Sequence, residues 1–138
     1  MQIWNRHFLN CEFEILKFVY LERKSREMIL HNIYFSAKGT TEMCAGCIGQ
    51  GLNLQMKPHN WFEKPCNELL EISSEDVLLF SMPVYGGFIP QSCAKMAKNL
   101  KGNNTPAIIA AVYGNRHYDD ALLQMKDILT EQGFYVIA

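Results

Sequence analysis

The apolar and polar positions of this chain fall into short runs suited to strands, separated by stretches suited to helices. Leu30-His31-Asn32-Ile33-Tyr34-Phe35 is rich in β-branched and aromatic residues and stops at a glycine-bearing loop, which predicts a first strand. Residues 41–51 follow as a helix opened by threonine; Gly46, Gly49 and Gly51 lower its propensity but would let it lie close to a sheet. Residues 53–56 read as a weak second strand, residues 61–66 as irregular between Pro58 and Pro65, and residues 67–72 as a helical turn. The run from Asp76 through Val77, Leu78, Leu79, Phe80, Ser81 and Met82 is almost continuously apolar, as in a strand buried on both faces. Pro90 opens a helix that extends to about Leu100, and residues 101–106 form a turn cluster. Residues 107–112 are the next buried strand. Residues 119–132 predict a helix, with Asp119 and Asp120 as caps, an apolar stripe of Leu122, Leu123, Met125, Ile128 and Leu129, and Gly133 ending it. A last strand begins at Phe134.

Strand and helix alternate, so the expected class is α/β: a doubly wound parallel sheet with right-handed crossovers. Residues 30–138 make one domain, which stops at its last strand without a covering helix. Residues 1–29 fit no strand–helix unit. Phe8, Cys11, Ile15, Leu16, Val19 and Tyr20 would give them an apolar helical stripe suited to covering the surface a final helix would bury.

Composition removes several function classes. A net charge of −1 lacks the basic footprint of a nucleic-acid binder. The five cysteines are scattered and odd in number, which suits a reducing cytoplasm better than a disulfide framework. No apolar run approaches the ~18 residues of a membrane span, and no secretory signal is visible.

Three glycine-bearing loops carry the candidate chemistry, each directly after an apolar strand. In Ser36-Ala37-Lys38-Gly39-Thr40-Thr41, hydroxyls, a glycine and a helix N-terminus are the parts a phosphate needs, and Lys38 could add a charge. The order is not that of an ATP-type P-loop, and Gly46-Cys47-Ile48-Gly49-Gln50-Gly51 reverses the dinucleotide spacing. Alone, a helix start with a turn glycine explains the first loop equally well. In Pro83-Val84-Tyr85-Gly86-Gly87 and Tyr113-Gly114-Asn115-Arg116, with Tyr118 close by, rings could stack on a planar ligand. Asn115 could meet a pyrimidine edge, and Arg116 could stabilise negative charge. Strand-end packing is the plain alternative. Loops at the carboxyl ends of strands in an open α/β sheet nevertheless form the rim where nucleotide-like ligands bind.

Over residues 30–138 the chain resembles a flavodoxin-like domain, in particular the flavodoxin portion of bacterial ferredoxin-plus-flavodoxin fusion proteins. The matching strings are Ile33-Tyr34-Phe35-Ser36-Ala37-Lys38-Gly39-Thr40-Thr41, Pro83-Val84-Tyr85-Gly86-Gly87-Phe88-Ile89-Pro90 and Tyr113-Gly114-Asn115-Arg116-His117-Tyr118-Asp119-Asp120-Ala121-Leu122. The resemblance implies a five-stranded sheet of order 2-1-3-4-5, bound FMN and electron transfer with a ferredoxin or a reductase. By position, Ser36, Gly39, Thr40 and Thr41 would hold the phosphate, Tyr85, Gly86 and Gly87 would line the isoalloxazine ring, and Gly114, Asn115 and Tyr118 would close its other side. Lys38 stands where the family usually has Thr or Ser, Phe88 where a basic residue is common. The cluster-binding cysteines of the fusion proteins and the last helix of the fold are absent. Two other readings stay open: a flavin-dependent NAD(P)H reductase, usually a dimer, and a shortened remnant that no longer binds flavin.

The remaining residues have plainer explanations. Cys44 and Cys47 form a Cys-x-x-Cys, but Cys44 is expected about a turn inside its helix, away from the position that lowers a thiol pKa. His7, His31, His59 and His117 are isolated in sequence, and no ligand set suggests a metal. Trp61 is expected to cover an irregular loop.

Overall fold

The computed structural model describes residues 27–114 and 117–138. The proposed stripe between Phe8 and Tyr20 lies outside them, as do Asn115 and Arg116. The described strands are β1 (Ile29–Tyr34), β2 (Gln55–Asn60), β3 (Leu70–Ile72), β4 (Val77–Pro83), β5 (Leu100–Gly102), β6 (Thr105–Val112) and β7 (Phe134–Val136). The described helices are α1 (Thr40–Gly51), α2 (Gln91–Ala97) and α3 (Ala121–Glu131).

β2, β1, β4, β6 and β7 lie side by side in that order, every pair parallel. Counting only these five strands along the chain, the order is 2-1-3-4-5, as expected. Alternation along the central strands builds a core on each face. Val77 and Leu79 of β4 join Leu30 and Ile108 under Ile48 of α1 and Leu52 at its C-cap. Leu78, Phe80 and Met82 join Ile33 and Ala107 against Cys93, Met96, Met125 and Leu129 of α2 and α3. All seven positions of β4 are buried, which is why its sequence shows no alternation. Trp61 is fully in this second core, edge-on to Phe80 at 5.6 Å.

Several expectations need correction. Residues 70–72 are not a helical turn but β3, which pairs in parallel with β5 in a separate two-stranded sheet. Part of the expected turn cluster at 101–106 is thereby strand, and α2 ends at Ala97 rather than near Leu100. Tertiary bonds hold these short strands: Leu70 N–H donates to Asn99 O (2.9 Å) and Thr105 Oγ1–H donates to Ile72 O (2.9 Å). β2 runs on through Pro58, which is tolerated because β2 is an edge strand. Leu123 is 58% exposed and so leaves the apolar stripe of α3. Asp120 occupies the N-cap of α3 but makes no side-chain capping bond. Of the glycines in α1, Gly49 is the one in close packing: an added Cβ would overlap Met56 Sδ, whereas at Gly46 it would meet nothing. Among the described residues, no helix is long and apolar enough to cross a membrane.

Candidate functional site

β1, β4 and β6 are adjacent and parallel, so their carboxyl ends open on the same edge of the sheet. After β1 the chain turns at Gly39 (φ +88°, ψ −9°), in the left-handed region that glycine tolerates, and enters α1. Gly39 N–H donates to Ser36 Oγ (3.0 Å), leaving the serine hydroxyl hydrogen available to another acceptor. No side chain caps α1, and the first intrahelical bond shown runs from Met43 N–H to Gly39 O (3.0 Å). The amides of the first turn therefore have no intrahelical partner, and the positive end of the helix dipole points at the loop. Ser36 and Thr41 are buried, whereas Lys38 and Thr40 are exposed. Glu42 would oppose an anion here. Its Oε1 instead accepts the Tyr34 hydroxyl (3.2 Å), whose pKa is raised by burial and then by Glu42, so the phenol stays a donor.

After β4, Tyr85 and Phe88 exchange backbone bonds (Tyr85 N–H to Phe88 O, 2.8 Å; Phe88 N–H to Tyr85 O, 3.3 Å) around Gly86 and Gly87. Both glycines have positive φ (+60° and +87°), the signature of a tight type I′ turn. The turn is tethered to α3 by Ile89 N–H donating to Gln124 Oε1 (2.9 Å). It also touches the segment after β6, since a Cβ on Gly87 would stand 2.8 Å from Asp119 Oδ2. In that segment the rings of Tyr113 and Tyr118 pack at 5.6 Å, and His117 stacks on Tyr118 at 4.5 Å.

The three loops enclose one cavity of about 360 Å³. Ser36, Lys38, Thr40 and Thr41 line it from the first loop, Pro83 and Tyr85 from the second, Tyr113 and Gly114 from the third. Gly39, Gly86, Gly87 and Tyr118 do not line it; Gly39 shapes the first turn and Gly87 joins the second loop to the third. Sequence reasoning missed four wall residues, Phe35, Ala37, Val84 and Val112, and the support from Asn60. Asn60 Oδ1 accepts Ser36 N–H (3.4 Å) and Phe62 N–H (3.1 Å), tying β2 to the first loop. In the sequence the second strand reads only to residue 56 and the irregular stretch begins at 61, so Asn60, the last residue of β2, falls in neither.

Among the described cysteines, Cys44 and Cys93 are buried and held as thiols. The Cys44 thiol pKa is raised by desolvation and by Cys47; burial pushes Cys93 up to about 12. Among the described residues, no group of three or more His, Cys, Asp or Glu is placed to hold a metal ion.

No protein-family model matches the chain, and no curated protein does. Among solved structures, the fold is similar to a candidate flavoprotein of Bacteroides eggerthii, with a TM-score of 0.56 and 15% identity over 80% of this chain and 86% of that one. It is equally similar to a candidate flavoprotein of Bacteroides uniformis, with a TM-score of 0.56 and 12% identity over 81% of this chain and 88% of that one. Topology and likeness together assign this chain the flavodoxin-like α/β fold.

Proposed function

We propose that the cleft binds FMN and that the chain is an electron-transfer module of flavodoxin type. The observation that carries this reading is the convergence of three loops on one cavity, lined by hydroxyls and Lys38 from the first loop and by Tyr85 and Tyr113 from the other two. Its volume of about 360 Å³ falls in the ~300–1,000 Å³ range of small-molecule sites. The residues fit a phosphate monoester joined to a flat ring. Ser36, Thr40, Thr41 and the first amides of α1 would hold the phosphate, with Lys38 adding charge from the exposed rim. Glu42 is engaged by Tyr34, which reduces its repulsion of an anion. Tyr85, 60% exposed, and Tyr113 would flank the ring.

FMN supplies one- and two-electron chemistry when bound. The protein orients the ring, limits water on the walled side and sets the field around it. On this reading Gly86, Gly87 and Tyr118 support the ring loops, and Asn115 and Arg116 complete the third. The counterpart it points to is the flavodoxin portion of bacterial ferredoxin-plus-flavodoxin fusions, with a ferredoxin or reductase as cytoplasmic partner.

The test is the absorbance of purified protein reconstituted with FMN, FAD or riboflavin, followed by reduction. A flavin spectrum retained with FMN after desalting, and bleached by dithionite or a reduced ferredoxin but not by NAD(P)H, is the expected result. Bleaching by NAD(P)H alone would favour a reductase, and no retained flavin would favour a remnant.

A further inference from the structure

At the β2 edge of the sheet two histidines meet. Ile33 is opposite His59 in the β1–β2 register, so His31 and His59 share the sheet face away from α1. Their rings stack at 5.8 Å with 16° between planes. His31 is 6% exposed, and His31 Nδ1 and His59 Nε2 are buried without a hydrogen-bond partner. Among the described residues the carboxylate that faces them is Asp76 at the start of β4, with Oδ2 3.5 Å from His31 Nε2 and Oδ1 accepting Ile29 N–H at 3.1 Å. The other charges that act on the pair are cationic: Lys57 on β2 and Lys64 in the loop after it. Asp76 can offset one imidazolium. A second would place like charges at ring-stacking distance.

The pair is connected to the cleft. Asn60 follows His59 directly, faces Tyr34 at the last rung of the β1–β2 register, and accepts the Ser36 and Phe62 amides. Trp61 N–H donates to Tyr34 O (2.8 Å) beside it. The carboxyl end of β2 thus holds the start of the first loop.

We propose that the stacked His31–His59 pair is a proton-sensitive clasp for the cleft. Protonating the pair loosens β2 from β1, withdraws Asn60 from Ser36 and weakens the hold of the first loop on a phosphate. The regulatory half rests on the FMN reading; the clasp itself does not. Burial, opposed by Asp76, keeps the His31 imidazole below its usual pKa. Burial first, then His31, Lys57 and Lys64, take His59 down to about 4. The sign follows. An unfolded histidine takes up its proton near 6.5 and the folded His59 near 4, so stability is complete at neutral pH and falls as pH drops through 6.5.

The experiment is urea denaturation of the full chain at pH 7 and pH 5, wild type against His59→Gln and His31→Gln. From His59 alone, the native-to-unfolded ratio of the wild type should fall several-fold over that interval and at most about twentyfold, because solvent screens part of the effect at a partly exposed ring; the loss is absent from His59→Gln. Equal pH dependence in both proteins overturns the clasp. Should a variant fail to fold, proton NMR of the wild-type imidazoles decides: titration of His59 well below pH 6 supports the clasp and titration near 6.5 overturns it. FMN affinity, measured at the same two pH values, should drop more steeply for wild type than for His59→Gln. The phosphate's own ionisation near pH 6 is common to both and cancels. Equal steepness overturns the coupling to the first loop. Absence of FMN binding at pH 7 overturns the cofactor reading and the coupling with it, while the urea measurement still decides the clasp.

Discussion

Gly39 turns the chain from β1 into α1 at φ +88°, and nothing lies within 4 Å of the place a Cβ would take. Gly39→Val therefore meets no protein atom at its Cβ. Its direct cost is the left-handed backbone of an L-residue, about 1–2 kcal/mol, which urea denaturation would read. The added bulk also stands at the anion end of the cleft, so FMN affinity should fall more than tenfold in a fluorescence titration; undiminished affinity would say the phosphate binds elsewhere. Tyr85 is a contrasting case, 60% exposed and outside both cores. Tyr85→Ala should leave stability unchanged within about 0.5 kcal/mol and weaken FMN binding roughly tenfold, since a lost ring contact costs ~0.5–1.5 kcal/mol beyond its area. Residues whose chemistry is local could be read from sequence. Ser36, Gly39 and Thr41 combine hydroxyls with a turn glycine before a helix, a pattern visible in the chain itself although a plain helix start shares it. Asn60 could not be read that way. Its function depends on where β2 ends against β1, and no property of an isolated asparagine reveals a pairing register.

α3 and β7 are joined at Gly133, which has φ +90° and packs backbone to backbone against Gly102 of β5. A Cβ on Gly133 would overlap the Gly102 carbonyl. Gly133→Ala thus combines left-handed strain with overpacking that no side chain can relieve, and should destabilise the fold by about 2–4 kcal/mol. The midpoint of urea denaturation reads this; a loss below 1 kcal/mol would mean the two turns separate at little cost. At this scale β4, β6 and α3 were evident in the sequence because length and pattern agree. β3 and β5 have three residues each and no periodicity, so their pairing belongs to the folded chain. β2 was read too short because Pro58 signals a break, and that signal fails at an unpaired edge.

For the whole molecule, the sheet order places β1 beside β4, the point where successive connections diverge to opposite faces. Open α/β sheets bind ligands at such a point, flavodoxins being a standing example of the rule. The two cores fix the strands, and the strands fix the spacing of three loops that are far apart in sequence. This convergence follows from strand order, so the overall architecture and the location of the cleft were legible once the alternation of strands and helices was read. The contribution of β2 was not, because it passes through the edge of the sheet. Binding of a flavin requires the three loops to act as one cradle. Amide chemical-shift mapping of the full chain during an FMN titration tests this most directly. Saturating, one-to-one changes at residues 36–41, 85–87, 113–114 and 118 together are the predicted result. Changes confined to one loop, or none at millimolar FMN, would contradict it.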